Sequence, residues 1–78
     1  FNGTTTIVFN INPDEIIEAQ IFDGIGRLVR TFNPGDYSSN KIFWNATDKN
    51  SKSVSSGLYL FTLRTKEKLF TKKILLLK

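Results

Sequence analysis

Gly57-Leu58-Tyr59-Leu60-Phe61-Thr62-Leu63-Arg64 is the stretch from which the fold is read. A glycine opens the run, Tyr59, Phe61 and Leu63 share one parity, and Thr62 and Arg64 take the other. A two-residue period of this kind belongs to a strand with one face in a core. Thr65-Lys66-Glu67-Lys68 follows as a polar turn, and Leu69 to Lys78 reads as the last strand. That strand is apolar on both parities, which suits a strand covered on both faces or one that docks to something else. Upstream, Ile42 and Trp44 lie on one face of the short β-prone run Lys41–Asn45, and a polar loop from Ala46 to Ser53 separates it from the strand that Gly57 opens.

Further upstream the pattern continues. Asn33 to Asn40 is dense in turn residues and fits a connection between two sheets. Arg27 to Phe32 is a strand with Leu28 and Val29 in its middle, and Thr4 to Asn12 alternates Ile7, Phe9 and Ile11 with Asn10 and Asn12. The segment between them is ambiguous on local rules. Asn12-Pro13-Asp14-Glu15 has the cap, the proline and the acid of a helix start, while Ile17, Ala19 and Ile21 alternate with Glu18 and Gln20 up to an Asp23-Gly24-Ile25-Gly26 hairpin stop. Six or seven short strands with no credible second helix predict an all-β antiparallel sandwich. Parity assigns its core to Ile7, Phe9, Ile17, Ala19, Ile21, Ile42, Trp44, Tyr59, Phe61 and Leu63.

With 78 residues and 8.9 kDa, the chain has room for one thin two-layered domain. A composition that is 40% hydrophobic and 23% charged belongs to folded chains, not to disordered ones. Neither His nor Cys occurs, which removes the commonest general base, the thiolate nucleophile, disulfides and most zinc ligands. No apolar run approaches the roughly 18 residues of a membrane-spanning helix, and no signal-peptide pattern opens the chain. The chain starts at Phe1 without an initiator Met and reads as a piece of a longer polypeptide. Charge is lopsided: Arg64 to Lys78 holds six basic residues against Glu67, a net +5, which leaves −1 for the remainder of the chain's +4.

The run from Trp44 through Asp48, Asn50, Val54, Ser56 and Gly57 to Tyr59 resembles the C-terminal Ig-like domains of bacterial secreted proteins. These comprise the type IX secretion sorting domain and the related Ig-like domain of the flagellar hook-capping protein. Ala46 and Ser51 stand where that family usually has glycine. Phe1-Asn2-Gly3-Thr4-Thr5-Thr6-Ile7 looks like the family's opening motif, with Gly3 in place of a proline. Phe22 to Arg30 looks like its central hairpin, which favours strand over helix from Glu15 to Phe22. Lys73-Ile74-Leu75-Leu76-Leu77-Lys78 looks like its terminal basic-apolar-basic strand. The expectation is therefore strand from Asn12 to Phe22 and a single Ig-like C-terminal domain over 1–78. Gly57-Leu58-Tyr59-Leu60-Phe61 also has the form of a tyrosine corner, with Phe61 where an antibody domain has its second Cys and Trp44 placed like the core Trp.

The resemblance implies a non-catalytic sorting domain that a secretion machinery recognises, on a host protein bound for the cell surface or the exterior. The competing reading is a structural spacer or docking module of an extracellular enzyme or hook-assembly protein. No catalytic, metal-binding or cofactor-binding residue is expected. Asp48-Lys49-Asn50-Ser51-Lys52 is better a polar turn than a calcium loop, because Lys49 and Lys52 repel a cation. Lys66, Lys68, Lys72 and Lys73 around Phe70 suit a guarded strand edge better than a nucleic-acid stripe. Phe22, Phe43 and Tyr37 would serve either a sugar-stacking surface or a neighbouring domain. The partners expected are the secretion machinery and the host's preceding domain. If Ile74 and Leu76 face the core, Leu75 and Leu77 are free, so partner recognition is assigned to Lys72, Lys73, Leu75, Leu77 and Lys78.

Overall fold

A computed structural model describes residues 5–33, 36–38 and 40–77, and for Pro13, Tyr37 and Ser38 it describes the backbone alone. The opening motif before Thr5 and the terminal Lys78 lie outside the described residues. The strands are β1 (Thr5–Val8), β2 (Ile16–Phe22), β3 (Leu28–Phe32), β4 (Tyr37–Ser38), β5 (Lys41–Trp44), β6 (Gly57–Thr65) and β7 (Leu69–Leu76). They form an antiparallel three-stranded sheet in the order β1-β5-β4 and an antiparallel four-stranded sheet in the order β3-β2-β6-β7. The second order is that of strands C′-C-F-G in an Ig-type sandwich, and the first that of B-E-D, so the expected Ig-like sandwich is present. The turn-rich segment after β3 carries the chain from one sheet to the other.

One core lies between the sheets. Ile7, Ile42 and Trp44 enter it from the small sheet, and Ala19, Ile21, Tyr59, Phe61, Leu63, Ile74 and Leu76 from the large one. Trp44 is fully buried and meets Tyr59 edge-to-face, with ring centroids 5.2 Å apart and planes at 69°. Each of these aromatics carries one polar atom into the interior, and each finds a backbone carbonyl close by in sequence. Trp44 Nε1 donates to the Thr47 carbonyl at 2.9 Å, and Tyr59 Oη donates to the Ser55 carbonyl at 2.6 Å. The second bond is the tyrosine corner expected from Gly57–Phe61. The expected placement of Trp44 is corrected. An antibody domain carries its core Trp on strand C, in the same sheet as the corner tyrosine, whereas Trp44 sits on β5 and reaches Tyr59 from the opposite sheet.

Parity misplaces one core residue. Ile17 is 55% exposed although Ala19 and Ile21 are fully buried. The register explains it: Ile16 pairs with Thr65 and Glu18 with Arg64, so Ile17 is the extra residue of a β-bulge. The bulge shifts the alternation by one, and Ile16 packs against the core in its place. Phe9 lies just past the end of β1 and is only partly buried. A second bulge inserts Val29 between Arg30, which faces Ile21, and Leu28, which faces Phe22. Val29 and Phe32 both become buried, and Arg30 is left facing inward at the rim of the sandwich. Arg30 bridges to the other sheet there, donating to Asn45 Oδ1 at 3.2 Å and Thr47 Oγ1 at 3.1 Å while its guanidinium lies 5.0 Å from the Phe32 ring centroid.

The expectation of strand from Asn12 onward is also corrected. Asn12 Oδ1 accepts the Asp14 amide at 3.0 Å and the Asn12 carbonyl accepts the Glu15 amide at 2.9 Å, giving a single 3-10 turn over Pro13–Glu15. Strand starts at Ile16. The helix-start chemistry does form its first turn, and burial of Ala19 and Ile21 then selects strand over its continuation.

A Trp44→Ala substitution removes the largest core side chain and should cost roughly 3 to 5 kcal/mol, against a total stability of about 4 to 12 kcal/mol for a chain of this length. Urea denaturation should find about a quarter or more of the protein's stability gone. Ile17→Ser, on the bulge, should change the unfolding free energy by less than about 0.5 kcal/mol, and a loss comparable to that of a buried isoleucine would refute the bulge.

Candidate recognition surface

The β6–β7 hairpin is closed by the Thr65–Lys68 turn, where the Thr65 amide donates to the Lys68 carbonyl at 2.9 Å and Thr65 Oγ1 accepts the Lys68 amide at 3.1 Å. Its register sorts the side chains. Tyr59 pairs with Ile74 on the core face, while Leu58 pairs with Leu75 and Leu60 with Lys73 on the outer face. Across the large sheet, Leu28, Phe22, Leu60 and Lys73 form one outward row, and Thr31, Gln20, Thr62 and Thr71 the next. A third row joins Glu18, Arg64 and Leu69, and within it Arg64 Nη2 lies 3.0 Å from Glu18 Oε1. The outer face is therefore banded: apolar at the hairpin-stop end, hydroxyl and amide in the middle, charged at the far end.

Of the expected recognition residues, Lys73 and Leu75 lie in the apolar band. Leu75 and Leu58 are 66% and 51% exposed as direct cross-strand neighbours, and Leu77, just beyond β7, is 64% exposed. Phe22, Leu58, Leu60 and Lys73 line a shallow depression beside Gly24 and Gly26. Lys73 and Leu75 share the outer face, whereas Lys72, paired with Phe61, has the opposite parity and is exposed at the sandwich rim. Lys78 lies outside the described residues. Leu58, Leu60 and Phe22 were missed as members of this surface. Their signal was present in the sequence, since Leu58 and Leu60 occupy the parity of β6 opposite to Tyr59 and Phe61.

Phe22 faces outward from the large sheet and Phe43 from the small one, so they cannot stack one sugar together. Lys72 and Lys73 point to opposite faces of β7, Phe70 shares the parity of Lys72, and Lys68 Nζ lies 6.0 Å from the Phe70 ring centroid. Among the described residues no cluster of acids is placed to hold a metal ion, and no helix is long and apolar enough to cross a membrane.

Two aspartates shape the loops that hold the hairpin in place. Asp48 Oδ1 accepts the amides of Asn50 at 2.8 Å and Lys52 at 3.0 Å, which makes the segment the expected polar turn. Asp23 Oδ1 accepts the amides of Ile25 at 3.1 Å and Arg27 at 2.9 Å, and its Oδ2 meets Arg27 Nε at 2.9 Å. Ala46 and Ser51, the two positions where the family favours glycine, have left-handed backbone with φ of 60° and 64°. The loop thus keeps a glycine-type conformation without its glycines, at a steric cost.

Replacing exposed Ser51 with glycine should relieve about 1 to 2 kcal/mol of left-handed strain against about 0.5 to 1 kcal/mol of added chain entropy, a net gain near 1 kcal/mol by denaturation. Ala46→Gly should be close to neutral, because Ala46 is 1% exposed and its lost methyl group forfeits about 0.8 kcal/mol of burial. Equal gains at both sites would contradict this account.

The amide of Arg27 foremost, then its side chain and the Ile25 amide, hold the Asp23 carboxyl below its ordinary 3.8; the amides of Lys52 and Asn50 do the same for Asp48. A lowered carboxyl contributes stability that is complete above the unfolded value near 4 and is lost as pH falls through the folded one. Burial foremost, with the Asp23 charge behind it, raises the Tyr59 phenol above 10.0, so its contribution is complete below the unfolded value and is lost as pH rises beyond it. Thermal melts across pH should show a plateau between about 4 and 10 with a fall on each side; an Asp48→Asn variant should flatten the acid limb alone, whereas Asp23→Asn should flatten the acid limb and also soften the alkaline one.

Comparison with known proteins matches residues 1–77 to the family described as "Secretion system C-terminal sorting domain". No curated protein and no solved structure gives a significant match. The family is a non-catalytic sorting signal of type IX secretion, implies contact with the secretion machinery, and marks bacterial proteins for secretion or surface attachment. The match covers nearly the whole chain. The chain belongs to the family of secretion-system C-terminal sorting domains and directs proteins into type IX secretion.

Proposed function

We propose that sorting is read from the outer face of the last hairpin, with Lys73, Leu75 and Leu77 in contact with the machinery and Lys72 and Lys78 flanking it. The observation that carries this reading is the split along β7. Ile74 and Leu76 complete the core at 7% and 2% exposure, while Leu75 and Leu77 remain mostly exposed. A lone exposed leucine requires no explanation, but Leu75 adjoins Leu58, with Leu60 and Phe22 beside them, and a contiguous patch beside a cation is typical of an interaction site. In this reading residues 1–78 are one C-terminal domain of a longer, secreted or surface-attached bacterial protein. Its partners are proteins of the secretion machinery and the host's preceding domain, not nucleic acid. Any catalysis belongs to the host.

A reporter fused to the chain in a bacterium with type IX secretion should reach the exterior. The Leu75→Ser/Leu77→Ser variant should keep its thermal midpoint, since surface changes of this kind cost less than about 0.5 kcal/mol each, and should leave the reporter in the cell envelope. A spacer or docking module predicts unchanged export. A variant that folds as the parent does and is exported at the parent's level would refute recognition through this face.

A further inference from the structure

β7 is the last strand in the order of its sheet and pairs, among the described residues, with β6 alone. Its other side, eight residues long, has no strand partner among the described residues and so offers its backbone groups to a further strand. Such edges are commonly protected by lysine, and Lys72 and Lys73 occupy the centre of this one. Protection alone leaves the apolar residues unexplained, because Leu69, Phe70 and Leu75 on the same strand are 63%, 41% and 66% exposed. An edge designed only to repel other chains would not display three large apolar side chains between its charges.

We infer that the free edge of β7 binds an extended acidic-apolar segment of a partner protein, which adds to the large sheet as a fifth strand. The charges select this occupant. Arg64 to Lys78 carries a net +5, and no ion pair to Lys72 or Lys73 is found among the described residues. Since the two lysines have opposite parities, an added strand with acids at neighbouring positions meets one lysine on each face, and its apolar residues extend the patch at Leu75 and Leu58. A second copy of the chain fits poorly. Two β7 edges centred on each other about a two-fold place Lys72 opposite Lys72, or Lys73 opposite Lys73, of the other copy, and like charges directly opposite are destabilising. The inference rests on the last hairpin being the recognition surface and adds the mode of binding and the chemistry of the segment.

The test uses the full 78-residue chain and a synthetic Glu-Val peptide, two adjacent Glu flanked on both sides by Val-rich arms, with a Lys-for-Glu counterpart and a version N-methylated at alternate amides. The Glu-Val peptide should bind saturably, weaken as salt is raised, and slow hydrogen exchange at alternate amides of β7. N-methylation should weaken binding by about tenfold or more, because it removes the donors of the added strand. The variant Lys72→Glu/Lys73→Glu, exposed at both sites and expected to fold, should lose the Glu-Val peptide and accept the Lys-Val one. Equal binding of the N-methylated peptide, no saturable binding, β7 edge amides already protected in the free chain, or self-association through β7 would each overturn the inference. Failure here with the Leu75→Ser/Leu77→Ser fusion still retained in the envelope would refute strand addition and leave recognition by the face intact.

Discussion

Two large aromatic side chains, Trp44 and Tyr59, meet edge-to-face at the centre of the sandwich, and burying them is the constraint that organises the rest. Their area dominates a small core, but each carries a polar atom that would cost free energy if left unpaired in the interior. Both atoms are paired by carbonyls of the connection that joins the two residues in sequence, at Thr47 and Ser55. That connection is held in shape by Asp48 and by two non-glycine residues in left-handed backbone. The strain in the loop is therefore the local cost of a satisfied core, in a chain that has no disulfide to assist it.

With the aromatics fixed, the sheets follow from parity, and the outer faces take the parity the core does not use. Tyr59, Phe61 and Leu63 point inward, so Leu58 and Leu60 point outward; Ile74 and Leu76 point inward, so Lys73 and Leu75 point outward. Pairing these two strands in register turns leucines that are separate in sequence into a single patch beside a lysine. A sorting domain has no chemistry to perform, and its information resides in what a folded surface displays. The same hairpin that closes the core thus presents this patch on its outer face.

How much of this was legible in the sequence differs from element to element. The alternation in Gly57–Arg64, the turn residues of Asn33–Asn40 and the motif from Trp44 to Tyr59 sufficed for an Ig-like sandwich, a tyrosine corner and the family. Ile17 was misassigned because a bulge has no sequence signature of its own; it exists only where two strands are matched against each other. The start of the segment at Asn12 was misassigned for the opposite reason, since its capping chemistry is real but too short-ranged to govern the residues beyond its first turn.

The sequence by itself determined which residues are able to face a core, where the chain turns, that His and Cys chemistry is absent, and that positive charge gathers at the end. Those are properties of single residues and their near neighbours. Only the tertiary structure decided that Trp44 reaches Tyr59 from the opposite sheet, that Ile16 replaces Ile17 in the core, and that Leu58, Leu60, Phe22, Lys73 and Leu75 share one outer face. Each of these depends on strand pairing and register. Those are set by contacts between residues far apart in sequence, and no local pattern encodes them.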